Sequence, residues 1–272
     1  MFLFLGVAVA YADSPRANQS KLVPINGANH PAGLSWSSVI TSYIYFPLVS
    51  GGFAGESYGT VAVIDNPLCH ASPTDPPAAS HPDINLAVRG YISTTGTLGL
   101  VDYTGHVDVN APQLYTLFGN NRTPTFSAVY QVYDWTNGQR GDPIGDPAVT
   151  LVGMVVAQNE IIRAPASGYD IGWRPTGYEV MVLYAASNRI TLKYTREDNM
   201  VCGNAIHIEN ISVDPNLLSL YQTMNAAGRA RLPALFAGQG IGRAITTEIG
   251  VAIRDTGWFM DPRSRKDWWQ GR

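Results

Sequence analysis

Charge is scarce in this chain: Asp, Glu, Lys and Arg make up 14% of 272 residues, and the formal net charge is −3. No run of basic residues exceeds the Arg263, Arg265, Lys266 cluster near the end. The electrostatic footprint of a duplex binder is therefore missing, which sets nucleic acid aside as a partner. Long apolar runs are lacking too. The one at the start, residues 2–10, is far shorter than the ~20 residues a membrane-spanning helix needs, and no later segment is a candidate. There is no Gly-x-Ser-x-Gly elbow for a serine hydrolase, and GQGIGRA (residues 238–244) falls short of both nucleotide-cradling glycine fingerprints. Cysteine is nearly absent, with Cys69 and Cys202 alone. In an oxidising compartment this pair would close a long loop as a disulfide; two separate buried thiols, packing as small apolar side chains, is the other open reading.

Glycine (27) and proline (18) are plentiful, which suits strands joined by many tight turns better than long solvated helices. Fourteen Tyr and six Trp are a heavy aromatic load, divided between core and contact surfaces. The fold class expected is mainly β, an antiparallel sandwich or curved barrel with one short helix near residues 215–227. Strand composition marks residues 38–49, 59–64, 84–93, 96–101, 149–156, 178–185 and 189–194. Around residues 125–135 the alternation is cleaner, with Phe126, Ala128, Tyr130 and Val132 on one face. Residues 65–82 form a proline-rich loop. The helix has Asp214 as N-cap, Pro215 at its first position, Leu217, Leu220, Tyr221 and Met224 on one face, and Gly228 as the stop.

At the N-terminus the short apolar run is followed by Ala10-Tyr11-Ala12, the small-residue pattern of signal-peptidase cleavage, so residues 1–12 read as a signal peptide and Asp13 as the first mature residue. This places the protein outside the cell, secreted or at the cell surface. Sequons at Asn18, Asn121 and Asn210 fit that route. Residues 13–29 read as an extended polar arm, able to add as a strand to a neighbour. Two β subdomains, 30–145 and 146–272, are expected, or one continuous domain.

The stretch 178–262 resembles the lysostaphin-type zinc metallopeptidases. Residues 178–195 (YEVMVLYAASNRITLKYT) resemble the family's hairpin that ends in a Tyr-Ala-His-Leu strand, residues 235–244 (LFAGQGIGRA) its Gly-Gln-x-Ile-Gly turn, and residues 251–262 (VAIRDTGWFMDP) its closing strand and Asp-Pro. The resemblance implies a small, strongly curved antiparallel β structure. It also implies zinc-dependent hydrolysis, but the ligand pattern departs. Where the family has His-x-His this chain has Glu248-Ile249-Gly250, and the strand histidine corresponds to Arg196, a permanent cation that repels a metal. No His-x-x-x-Asp precedes the hairpin. A protein of this fold with a dead site is the implication.

Other constellations are thinner. His81 and Asp83, with His106 and Asp108, are candidate zinc ligands, although zinc needs three protein ligands brought together and loop-capping roles suit them better. His207 and Glu209 share a strand face, with Asp198 and Glu197 close in sequence, as a candidate acid/base cluster. The C-terminus joins Trp258, Arg263, Arg265, Trp268 and Trp269 to several aspartates, which suits either a docking surface or a tail packed on its own domain. The function expected is a non-catalytic extracellular binding or structural protein contacting glycan or protein, with no cofactor. A secreted cell-wall peptide or polysaccharide hydrolase with a metal site is the rival, and a subunit of a surface filament or layer the third.

Overall fold

The structure is a computed structural model, and it describes residues 56–69, 77–172 and 175–272. The expected signal peptide, the polar arm, Asn18 and the strand at residues 38–49 lie outside the described residues. Fourteen strands follow in chain order: β1 (Gly59–Ala62), β2 (Tyr91–Ser93), β3 (Phe126–Thr136), β4 (Gln139–Pro143), β5 (Leu151–Val155), β6 (Ile161–Arg163), β7 (Tyr178–Ala186), β8 (Arg189–Lys193), β9 (Asn204–Glu209), β10 (Ile211–Val213), β11 (Arg231–Phe236), β12 (Gly240–Ala244), β13 (Glu248–Asp255) and β14 (Trp258–Met260). Helices are few: α1 (Leu86–Arg89), α2 (Pro215–Ala226) and α3 (Arg265–Trp268). Among the described residues no helix is long and apolar enough to cross a membrane.

Eleven strands form one antiparallel sheet in the order β1-β11-β7-β8-β9-β13-β5-β3-β2, with β14 added to β13 and β4 to β3. A three-stranded sheet, β10-β12-β6, supplies Ile162, Ile211, Val213 and Ile241 to the same core. The arrangement is mainly β and sandwich-like, and among the described residues no barrel closes. The main sheet contains strands from both sides of residue 145.

Its centre is held by rows of β-branched and aliphatic side chains in register. Ile190 faces Ile208, which faces Val251, which faces Val152 across four strands. Beside that row, Leu192, Ile206 and Ile253 form another. All seven are essentially fully buried, as a sheet face against a core requires.

Helix α2 forms for the reasons legible in its residues. Asp214 accepts from the backbone N–H of Asn216 at 2.8 Å and Leu217 at 3.3 Å, Pro215 takes the first turn, and Leu217 and Tyr221 turn inward, the latter edge-on to Tyr184. The cysteines form the disulfide Cys69–Cys202, with Cα atoms 5.7 Å apart, which ties the segment after β1 to the turn before β9.

Two expectations are corrected. Most of residues 84–93 is not strand, because the Asn85 side chain accepts from Ala87 N and starts the short helix α1, leaving only Tyr91–Ser93 extended. Residues 96–101 lack a strand as well, with only an isolated bridge from Val101 to Ser264. Strand β3 does form, yet its period breaks at a register shift between Phe126 and Ala128. Phe126 and Val129 consequently enter the main core, while Val132 joins a small cluster with Leu86, Leu151, Ala252 and Phe259 on the other face of the sheet.

The two tryptophans of the C-terminal tail are interior. Trp268 and Trp269 are 1% and 0% exposed, their ring N–H groups donate to the carbonyls of Asp261 at 3.0 Å and Pro262 at 2.8 Å, and Trp269 packs edge-on to Phe126 at 5.9 Å. Replacing Trp269 by Ala is predicted to cost about 3–5 kcal/mol in urea unfolding, the range for emptying a buried ring site. A loss under ~1 kcal/mol would mean that the tail is not part of the core.

Candidate functional site

Because side chains alternate along a strand, the residues between those core rows point to the opposite face of the sheet. That face is unusually polar for a sheet centre. One row runs Arg189, Glu209, Gly250, Gly153; the next runs Thr191, His207, Ala252; a third runs Lys193, Ala205, Arg254, Phe259. Residues 81–89, ending in α1, lie over its middle. Thr191 donates its hydroxyl to the carbonyl of Ile84 at 2.7 Å, and Leu86 packs into the cluster around Leu151 and Ala252.

What holds this covering segment is an acid between two buried bases. Asp83 Oδ1 accepts from Arg89 Nη2 at 2.5 Å and from Arg254 Nη1 at 2.7 Å. Burial alone would raise the Asp83 carboxyl, but the Arg254 and Arg89 charges and hydrogen bonds overcome it and hold the group well below the usual carboxylate range. Each guanidinium is further tied to backbone: Arg89 donates to the carbonyls of Pro82 (3.2 Å) and Tyr133 (3.1 Å), and Arg254 to that of Gly257. Both lie over the ring of Phe259, at 5.5 Å for Arg89 and 4.7 Å for Arg254.

His207 sits beneath. Thr191 spends its proton on Ile84, so its oxygen accepts from His207 Nδ1–H across 3.0 Å, leaving Nε2 as a buried lone pair without a donor. Burial, reinforced by the Arg254 charge, pushes the imidazole down to about 3. It is a neutral structural ring, stacked against Phe259.

Beside the clamp opens a cleft of about 890 Å³. Arg89, Arg254 and Phe259 line it on one side, and Asp134 and Asp142 from the β3–β4 hairpin on the other. Trp258, at the start of β14, stands at its rim with 76% of its surface exposed. The β13–β14 turn that carries the tryptophan has Thr256 and Gly257 at positive φ, +44° and +87°, a tight reversal that glycine accommodates without strain.

No family model matches the chain, and neither does any curated protein.

The remaining candidates are dispersed. His81 Nδ1 accepts from the backbone N–H of Asp83 at 3.1 Å, a loop cap, and Asp83 is committed to the two arginines. The backbone carbonyl of His106 takes Lys266 Nζ at 2.7 Å in a different part of the molecule. Among the described residues no three His, Cys, Asp or Glu side chains gather as a metal would need. Asp198 pairs with Arg229 at 2.6 Å, away from His207, and Glu209 pairs with Arg189 at 3.2 Å, burial raising its carboxyl and Arg189 opposing the rise. Glu248 is held by the Ser127 and Tyr130 hydroxyls.

Of the tail residues proposed as a contact surface, Trp268 and Trp269 are buried and cannot meet a partner. Arg263 is consumed by a two-point bond to Asp261 and by the Thr97 carbonyl, and Arg265 pairs with Asp102 at the surface. Only Trp258 offers a free ring. Asn210 spends its amide on Thr246 and the Glu248 carbonyl, whereas Asn121 is exposed.

Arg89 and Arg254 hold this candidate site, and neither is placed in it by the sequence reading, which groups Arg254 with the C-terminal Arg, Asp and Trp residues. Arg254 carried a signal, an arginine at a sheet-interior position of an alternating strand, but its partner Asp83 lies 171 positions away.

Acid should loosen this site. Unfolded, His207 takes a proton near pH 6.5; folded, it stays neutral down to about 3. Its contribution is therefore complete above about pH 6.5 and falls below that at up to about 1.4 kcal/mol per pH unit. Asp83, whose carboxyl is depressed in the fold, adds loss of the same sign at lower pH, below its ordinary value of 3.8. His207→Phe is predicted to flatten the stability profile between pH 6.5 and 4.5 in urea titrations, and a slope equal to the parent's would contradict this burial account.

Proposed function

We propose that the protein is an exported, non-catalytic recognition protein that holds a glycan in the Trp258 cleft. The observation that carries this reading is an indole left 76% exposed at the rim of a concave, carboxylate-lined surface, while its tryptophan neighbours in the tail are fully buried. A sugar ring presents a face of C–H groups and an edge of hydroxyls. The indole takes the first, and the Asp134 and Asp142 oxygens, which are exposed, accept from the second.

The absence of catalysis in this reading rests on the state of the groups that would perform it. His207 is buried, neutral and capped by Thr191; the Asp83 carboxylate is locked between two cations. The resemblance to lysostaphin-type peptidases supports the same conclusion, since Glu248 and Gly250 occupy the positions of its His-x-His and the middle of the sheet face is covered by residues 81–89. In that reading the chain is a relative that kept the scaffold and lost the metal chemistry.

The test is binding of cell-surface and cell-wall oligosaccharides by calorimetry, with Trp258→Ala alongside. Because the ring is exposed, the variant should keep its melting temperature within about 2 °C, as surface substitutions do, and lose at least tenfold in affinity. Equal affinity in the variant, or hydrolysis of the same oligosaccharides abolished by chelation, would overturn the reading.

A further inference from the structure

A second hollow, of about 300 Å³ and sharing no lining residue with the Trp258 cleft, opens beside the end of β8, the start of β9 and the end of β13. Its polar lining is oxygen-rich: Asp108, Asp255, Asn204, Thr195, Ser167 and Asn110, with no histidine, cysteine or cationic side chain. Asp255 and Asn204 are direct cross-strand partners, which puts their Cβ atoms roughly 5 Å apart. Asn204 reaches the third member, its Nδ2 donating to Asp108 Oδ2 at 2.8 Å. The three side chains thus converge from two adjacent strands and one loop.

Asn204 is only 7% exposed, yet its Oδ1, in the lining of the hollow, has no hydrogen-bond donor. An orphaned buried oxygen beside two carboxylates is costly unless something positive stands among them. Each Asp108 oxygen receives a single N–H, from Asn110 at 2.9 Å and from Asn204, so both retain lone pairs facing other directions. Lys193, nearby in the sheet, gives its ammonium to the Cys202 carbonyl and does not line the hollow.

We propose that this hollow binds a hard divalent cation, calcium by its chemistry, through the Asp108 and Asp255 carboxylates and the Asn204 Oδ1, with Thr195 and water completing the shell. An all-oxygen set suits calcium and not zinc, and calcium accepts irregular shells of six to eight oxygens in which two carboxylates suffice for weak, extracellular-type binding at roughly 10⁻⁴–10⁻³ M. The crowding of negative charge agrees with this role: the Asp255 carboxyl is pushed up by burial and then by the Asp108 and Asp267 charges, a repulsion that a bound cation relieves.

Tyr169 and Tyr194 line the same hollow and provide a direct readout, because tyrosine excitation sensitises terbium luminescence from an ion bound beside it. The full chain, stripped with chelator, is titrated with terbium and then with calcium, and its melting temperature is followed with and without about 10 mM calcium, an excess over the affinity range above. The expected result is saturable luminescence that calcium displaces and a melting temperature raised by several degrees. In Asp255→Asn, affinity should fall at least tenfold while the calcium-free melting temperature stays equal or rises, since the amide keeps the shape and removes the repulsion. Asp108→Asn provides the same comparison through the second carboxylate. Parent-like affinity in both variants, or no displacement and no melting shift in the parent, would overturn the proposal.

Discussion

A single carboxylate, Asp83, shared between the buried guanidinium groups of Arg89 and Arg254, fixes the polar face of the main sheet. Both arginine side chains are less than a tenth exposed, so each needs its counter-charge. Removing one partner of such a set typically costs 3–5 kcal/mol, because it strands charge in a poorly solvated place. The residues joined are far apart in the chain: the acid and one base belong to the covering segment, and the other base to the closing strand β13. The Arg–Asp–Arg contact therefore does for this face what the isoleucine and valine rows do for the other. It also keeps Ile84 over Thr191 and Leu86 over Ala252, and so keeps His207 dry.

Several features follow from that division of faces. Strands β8, β9 and β13 each serve two surfaces, alternately apolar toward the core and polar or small toward the covering segment. The polar surface is not continuous: the cluster of Leu86, Val132, Leu151, Ala252 and Phe259 interrupts it between the Arg189–Glu209 pair and the clamp. At the far ends of the strands Asp255 and Asn204 line the oxygen-rich hollow together with Asp108. Trp258 owes its exposure to the same geometry, since it opens a three-residue strand directly after a tight turn and leaves Phe259, the next residue, to face the clamp.

Fold class was legible because its determinants are local. The alternation in β8 and β9, the turn residues between β7 and β8, and the Asp214-Pro215 start of α2 all act within a few positions. The cysteine pair is different: its members lie 133 positions apart, and only the geometry resolves its two readings in favour of the bond. Residues 84–93 misled because β-branched composition lost to one capping side chain, Asn85. The face of β3 misled because a bulge reverses inside and outside without leaving a mark in a binary pattern. The site was the least legible part. In sequence, His81, Asp83 and His106 read as candidate metal ligands and His207 as a candidate acid/base group, whereas ion pairs with distant arginines and a single threonine hydroxyl decide the roles of Asp83 and His207. In the tail, a dense row of Trp, Arg and Asp has the same composition whether it docks outward or inward; burial of Trp268 and Trp269 separates the two.

The most direct measurement of this account is amide hydrogen exchange on Asp83→Asn, which preserves shape and removes only the charge. Protection should collapse over residues 81–93 and around the β13–β14 turn, with global stability lower by about 3 kcal/mol or more, while the amides of β7 and β8 retain theirs. Exchange indistinguishable from that of the parent protein, together with a stability change under ~0.5 kcal/mol, would contradict the claim that this shared carboxylate organises the sheet face.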